Sequence, residues 1–385
     1  MRAWIAPGGA FALALGMAFA SAAQDAKLPP SITATAYDTG SSGFNIAVAV
    51  GKALKDKHGV DLRVLPAGND VARLAPLRGG RAQVSAMGIG VYYAQEAVYE
   101  FAVKDWGPQR LQLMLSSTDC NGAALGATKD SGVTALKDLK GKRLGWVVGS
   151  PALNLNAVAA LAFGGLKVSD VKLVEFSSFG AMWKGMVNNE VDAAWASTIS
   201  GQAKEVETSP RGLLWLPTPH ADKEGWARML KVGSYFAPHM ATCGAAGLSK
   251  QTPIESATYP YPIFTAYASQ PEDVVHGLTK AMIVHYDLYK DGAPGAAGLA
   301  LSTQNLAWVL PYHAGAVRAL KEAGVWKPEH DRHNQALLKR QDTLATAWEA
   351  YLKTNPPEER EAFRKGWMAA RKDALSKAGL DPLFD

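Results

Sequence analysis

Three short stretches combine glycine, serine and a helix start in a way suited to holding a small anion. Gly149-Ser150-Pro151 follows the apolar run Trp146-Val147-Val148, where Ser150 suits a helix N-cap and Pro151 the first helical position. The N–H groups of Ala152 and Leu153 would then have no intrahelical partner. Free N–H groups together with the helix dipole favour a carboxylate or phosphate. An ordinary capped helix shows the same residues. In Thr39 to Phe44, Gly40 and Gly43 flank Ser41 and Ser42, so backbone N–H groups and hydroxyls, with Phe44 beside them, can meet the other end of a ligand; a solvated turn would look alike. Gly88-Ile89-Gly90 leads into Val91-Tyr92-Tyr93; Gly88 permits close backbone approach and Tyr92 can place a ring or hydroxyl in a cleft.

Asn69, Phe179, Trp183 and Ser197-Thr198 stand at strand ends or helix starts, where they would add amide, aromatic and hydroxyl contacts. The candidate ligand-binding set is therefore Gly40, Ser41, Ser42, Phe44, Asn69, Gly88, Tyr92, Gly149, Ser150, Ala152, Leu153, Phe179, Trp183 and Ser197. Trp146, Trp195 and Trp215 fall inside predicted strands and are assigned to the core. Eleven tryptophans and the apolar third loop suggest a ligand bulkier or less polar than a simple amino acid.

Catalytic chemistry has little support. The chain has no His-Glu-x-x-His, Cys-x-x-Cys, Gly-x-Ser-x-Gly or Walker pattern. His330 and His333 have a spacing open to a metal, but Glu329, Asp331 and Arg332 beside them read as a solvated helix start. Cys243 and His239 lack an acidic residue to orient the base. No catalytic residue, metal or cofactor is expected. The two cysteines, Cys120 and Cys243, form either one disulfide or two buried thiols; an oxidising compartment favours the disulfide.

The elements that must position these loops alternate between strand and helix. Ile32–Tyr37, Val60–Leu65 and Val84–Met87 read as strands; Phe44–Lys57, with Ile46, Val50, Ala53 and Leu54 at helical spacing, and Asp70–Leu77 read as helices. This βαβαβ order predicts a parallel sheet covered by helices. After a strand at Leu111–Ser116 and an extended crossing at Gly122–Thr128, the rhythm repeats. Strands are expected at Arg143–Val148, Val171–Phe176, Asp192–Ala196 and Leu213–Leu216, and helices at Leu153–Phe163 and Met182–Val187. Tyr261–Ala268 reads as a return crossing, followed by an amphipathic helix at Glu272–Tyr289. The predicted fold is α/β and two-lobed. Residues 27–121 and 266–328 form the first lobe and 122–265 the second; hinge segments lie near 122–128 and 261–268, and a helical C-terminal extension covers 329–385.

Composition and the first residues bear on compartment and partners. Arg2, the apolar run Phe11–Phe19 and Ala20-Ser21-Ala22-Ala23 read as a signal peptide over 1–23, cleaved on export, with no membrane insertion afterwards. The net charge of +5 is spread along the chain without a Lys/Arg block or an alternating aromatic and basic stripe, so no nucleic-acid partner is expected.

Several of these pieces together resemble the TAXI family of substrate-binding receptors of TRAP (tripartite ATP-independent periplasmic) transporters. They are Asp38-Thr39-Gly40-Ser41-Ser42-Gly43, Val91-Tyr92-Tyr93-Ala94 and Leu136-Lys137-Asp138-Leu139-Lys140-Gly141-Lys142-Arg143. Pro271-Glu272-Asp273-Val274-Val275, Pro311-Tyr312-His313-Ala314-Gly315-Ala316-Val317-Arg318 and Glu322-Ala323-Gly324-Val325-Trp326 complete the set. The resemblance covers Ile32 to about Trp326. It implies the type II periplasmic binding fold, a small organic anion such as a carboxylate as ligand, no enzymatic activity, and delivery to TRAP membrane subunits driven by an ion gradient. The chain departs from the family in the apolar Met87-Gly88-Ile89-Gly90 and in its longer helical tail. Receptors for an ABC importer or a sensor kinase, and an enzyme on the same fold, share these sequence features.

Overall fold

A computed structural model describes residues 28–384. The signal peptide expected at 1–23 lies outside the described residues. Among those described, no helix is long and apolar enough to cross a membrane.

The first lobe is built from β1 (Ser31–Ala36), α1 (Ser42–His58), β2 (Asp61–Pro66), α2 (Asp70–Arg78), β3 (Val84–Met87), α3 (Gly90–Glu96) and β4 (Leu111–Ser116). α1 starts where Ser41 accepts the Phe44 N–H, and it stops at Gly59, whose φ of 68° suits glycine. Its Ile46, Val50, Ala53 and Leu54 face the sheet and are buried, as their spacing predicts.

The second lobe runs through β5 (Ala123–Thr128), β6 (Arg143–Val147), α4 (Pro151–Phe163), β7 (Lys172–Phe176), α5 (Phe179–Val187) and β8 (Ala193–Ser197). It continues with α6 (Gly201–Thr208), β9 (Leu213–Trp215), α7 (Lys223–Val232), β10 (Ala237–Ala241) and β11 (Ile254–Thr258). The chain then returns through β12 (Ile263–Tyr267), α8 (Glu272–Val284), α9 (Tyr286–Tyr289) and α10 (Ala314–Glu322), and ends in α11 (Pro328–Lys353) and α12 (Arg360–Lys377).

Two sheets result. In the first, with order β2-β1-β3-β12-β4, β1 pairs in parallel with β2 and β3, while β12 runs antiparallel to β3 and β4. In the second, with order β10-β11-β5-β8-β6-β7 and β9 beside β5, β6 pairs in parallel with β7 and β8. This is the two-lobed type II periplasmic binding architecture with a helical extension.

The crossings differ from the expected segments. Ala123–Thr128 pairs within the second sheet and Ile263–Tyr267 within the first, so the chain changes lobes over residues 117–122 and 259–262. Both expected hinge segments are extended, and extended backbone is drawn into a sheet where its N–H and C=O groups find partners. The hairpin of β10 and β11 had no strand reading in the sequence. The helix expected to span Glu272–Tyr289 breaks at His285 into α8 and α9.

The extension packs on the first lobe. Along α12, Phe363, Trp367, Arg371 and Leu375 recur every fourth residue and are all buried, forming one stripe that faces Leu344, Ala347 and Tyr351 of α11 and Ala97 and Ala102 of the first lobe. Arg371 sits in the middle of this stripe, and its guanidinium meets the buried Glu96 carboxylate at the end of α3. Arg340 of α11 binds the same carboxylate at 2.7 and 2.8 Å.

Candidate functional site

The lobes are closed on each other, and backbone groups carry much of the seam. The Phe179 N–H donates to Gly68 O at 2.9 Å, Val71 N–H to Gly149 O at 3.2 Å, and Gly201 N–H to Gly40 O at 3.1 Å. Gly68 allows the first contact, since a Cβ there would stand 2.4 Å from Ser178 Cβ. Asp38 Oδ2 accepts the Gly180 N–H at 2.6 Å, and Gln202 Nε2 donates to Thr39 O at 3.0 Å. A chain of hydroxyls and an amide adds Tyr93 OH to Tyr235 OH at 2.8 Å, Tyr235 OH to Asn156 Oδ1 at 2.7 Å, and Asn156 Nδ2 to Tyr259 OH at 3.1 Å.

Inside this seam lies a cavity of about 30 Å³ with walls from both lobes, room for one or two water molecules. Seven of the expected ligand-binding residues meet there: Ser41, Ser42, Gly88, Ala152, Leu153, Phe179 and Ser197. Tyr37, Asn121, Trp195, Ser200, Tyr259 and Tyr261 also line it and were not among the expected set.

The other expected residues are placed elsewhere. Gly40 and Gly149 give their carbonyls to the seam. Phe44 is half-buried against the core, Asn69 caps α2 by accepting the Ala72 N–H at 2.8 Å, and Ser150 Oγ bonds Tyr37 OH at 2.9 Å instead of capping α4. Tyr92 is buried against Phe384 and borders a separate open recess of about 780 Å³ between the hinge and the extension. Trp183 and Trp195 exchange their expected roles. Trp183 is core, its Nε1–H donating to Trp195 O at 3.3 Å, while Trp195 faces the cavity. Trp146 is half-buried and borders a crevice with Arg360 and Arg364 of α12.

The helix start expected to clamp an anion already holds one from the chain itself. Ala152 N–H donates to Asp70 Oδ2 at 2.8 Å. Asp70 Oδ1 accepts Tyr37 OH at 2.7 Å and the Arg73 guanidinium, which lies over the Tyr37 ring. Asp70 and Arg73 are both fully buried. Burial works to lower the Arg73 pKa, but its electrostatic contacts with the Tyr37 hydroxyl and the Asp70 carboxylate outweigh it and the net shift is upward. Burial pushes the Tyr37 phenol well above its ordinary value, so it remains a donor. At the start of α1, Tyr261 OH approaches Ser42 and Gly43, and a Cβ on Gly43 would lie 3.2 Å from it.

Cys120 and Cys243 form a disulfide with Cα atoms 5.5 Å apart, and Thr242 N–H donates to Cys120 O at 2.8 Å. The bond ties the first crossing to the end of β10, next to Asn121. His313 caps α10 through Nδ1, and His333 Nε2 lies 2.6 Å from Trp308 O. Among the described residues no group of three or more His, Cys, Asp or Glu is placed to hold a metal.

Residues 33–324 match the model of the NMT1-like family. Solved structures similar to the chain include the alkanesulfonate-binding protein SsuA from Xanthomonas axonopodis pv. citri bound to MOPS, at 16% identity over 86% of this chain and 96% of that one, TM-score 0.43. A protein from Bordetella bronchiseptica RB50 matches at 17% identity over 80% and 98%, TM-score 0.46. An ancestral arginine-binding protein bound to arginine matches at 16% over 69% and 95%, TM-score 0.40.

Proposed function

We propose, from the premise that this chain belongs to the NMT1-like family, that it is an exported solute-binding receptor, which closes two lobes over a small organic solute and hands it to a membrane transporter. The observation that carries this reading is the cavity whose walls come from both lobes and whose seam consists of hydrogen bonds that water can replace. Such a seam opens and closes at small net cost, because each broken contact is re-made with solvent. A solute touching both walls adds contacts only in the closed state and therefore shifts the population toward it.

Binding without turnover fits the lining, which contains no His, Cys, Lys, Asp or Glu and so offers no nucleophile with a base beside it. The periplasm is the compartment that the signal peptide expected over residues 1–23 would imply. TRAP membrane subunits are the partner that the family resemblance implies. A small organic anion is the ligand it implies, although Asp70 already occupies the helix start that would receive one.

The test is a thermal-shift screen of the chain lacking residues 1–23, with X-ray scattering of each hit and mass analysis of the recovered compound. The expected result is stabilisation, a smaller radius of gyration and a compound recovered unchanged. A chemically altered compound would replace the receptor with an enzyme on this fold. Ion-gradient-driven uptake into vesicles carrying the TRAP membrane subunits, dependent on the receptor, tests the delivery step; uptake that instead needs an ATPase would assign it to an importer of that class.

A further inference from the structure

The bonds of the two crossings place the pivots about which the lobes turn. In the first crossing, Ser117 Oγ donates to Gly295 O at 2.7 Å and Thr118 N–H to Gly298 O at 3.0 Å, which holds both residues to the first lobe. Cys120 is bonded to Cys243, and Gly122 N–H donates to Thr198 Oγ1 at 3.1 Å, which holds that end to the second lobe. In the second crossing, Tyr259 OH accepts from Asn156 of the second lobe at 3.1 Å, while Tyr261 N–H donates to Ser117 O at 2.7 Å. Asp119 and Pro260 stand between the two anchorages, so rotation of one lobe against the other is absorbed there.

The seam and the open recess lie on opposite sides of these pivots. The backbone contacts of the seam come from the segments that follow β1, β2, β6, β7 and β8, whereas the crossings continue β4 and β12 of the first sheet and β5 and β11 of the second. Beyond the crossings, the second-lobe wall of the recess is Ser234, Tyr235 and Ala237, at the entry to the edge strand β10. Its first-lobe wall is formed by residues 302–305 and 307–309, which lead to Tyr312 beside the edge strand β4, and α11 adds His333, Leu337 and Arg340. Thr258 and Tyr259 face both the recess and the inter-lobe cavity, so the crossings are the partition between the two spaces. A rotation that widens the seam therefore narrows the recess. Its volume of about 780 Å³ is the room for that motion, which ends when the packed walls meet.

We infer, on the basis of the receptor reading above, that the recess is the clearance into which the second lobe swings on opening, and that residues 302–309 with α11 form a stop that limits the opening angle. The extension, anchored through Arg340 and Arg371 to Glu96, gives that stop a rigid backing. Volume added to the recess holds the lobes closed, and volume removed from its wall lets them open further.

The experiment measures X-ray scattering and amide exchange of the chain lacking residues 1–23, without solute, for the wild type and four variants. Ala307→Trp and Ser234→Trp add bulk to opposite walls of the recess at exposed positions. Each should bring the radius of gyration down to that of the closed structure and slow exchange of the seam N–H groups of Val71, Phe179 and Gly201 by about tenfold. Leu337→Ala trims the stop and should raise the radius of gyration above that of the wild type. Ser376→Trp, exposed on α12 outside the recess, should leave both readings where they are. A wild type more open than the closed structure, with a radius of gyration that neither recess tryptophan lowers, overturns the stop and leaves the receptor standing. A wild type already at the closed value, unmoved by Leu337→Ala and with those seam amides fully protected, removes lobe opening itself, and the receptor reading falls together with the inference.

Discussion

The molecule has two seams built around a buried carboxylate and guanidinium, and they differ in what surrounds the charges. Between the lobes, Asp70 and Arg73 come from the same helix, α2, and the contacts that cross the seam pair backbone groups, hydroxyls, the Gln202 amide and the Asp38 and Asp70 carboxylates with neutral partners. Between the first lobe and the extension, Glu96 is separated in sequence from Arg340 and Arg371, and an apolar cluster of Leu344, Tyr351, Phe363, Trp367 and Leu375 encloses the contact. Opening the lobes leaves the Asp70–Arg73 pair together and lets water replace the crossing hydrogen bonds. Detaching the extension would separate ions and expose that cluster. The first seam is therefore suited to cycling and the second to permanence.

The largest effect expected from this contrast is at Glu96. Glu96→Ala leaves Arg371 and Arg340 without their buried counter-charge, which should cost about 3–5 kcal/mol of stability, read from the urea midpoint. A loss below about 1 kcal/mol would mean that the extension is a loosely held appendage and would erase the distinction. Acid gives a second reading. Burial alone would raise the Glu96 pKa, but the Arg340 hydrogen bonds and the Arg371 charge outweigh it, and the carboxyl is held below its ordinary 4.5. The unfolded chain therefore binds this proton first, so the stabilisation is present above about pH 4.5 and is lost as pH falls through the folded-state value. Protection of the α12 amides from exchange should drop in that window.

The first seam was more legible in the sequence than the second. Helical spacing and β-rich runs defined most of both sheets, and glycine and serine before the helices α1 and α4 marked two helix starts whose first turns reach the cavity through Ser42, Ala152 and Leu153. Ser197 also carried an unused signal. Residues two apart on a strand share a face, so placing Ser197 at a ligand placed Trp195 there too. Asp70 had no such signal, because an acid in the first turn of its own helix looks the same whether or not it reaches across to Ala152. Tyr259 and Tyr261 sit in a crossing whose path depends on both lobes at once. In the extension, Arg340, Gln341 and Arg371 are buried beside the apolar residues. A buried arginine is invisible to hydrophobic patterning, since its partner is distant in sequence.

The disulfide sharpens the comparison from the other side, because it belongs to the hinge and has no counterpart at the extension. Replacing Cys120 and Cys243 by serine opens a loop closed across 123 residues and should cost about 2–4 kcal/mol. Hydrogen exchange should show the loss at residues 117–122 and in β10 and β11, with α11 and α12 keeping their protection. Equal loosening of the extension would show that the two seams are one cooperative unit.

Asp38→Ala should have the smallest effect and the most selective one. Its carboxylate accepts only the Gly180 N–H across the seam, a charge-assisted bond of about 1.5–3 kcal/mol at a partly solvated position, discounted to roughly 1 kcal/mol because opening gives that N–H to water. The loss bears on the balance between open and closed lobes and leaves each lobe's core intact. X-ray scattering of the variant should therefore show a larger radius of gyration and a receptor that needs more solute to close, with the urea midpoint near that of the wild type. A fall in the midpoint with unchanged dimensions would place Asp38 in folding, and the lobe seam would then resemble the sealed one it is contrasted with.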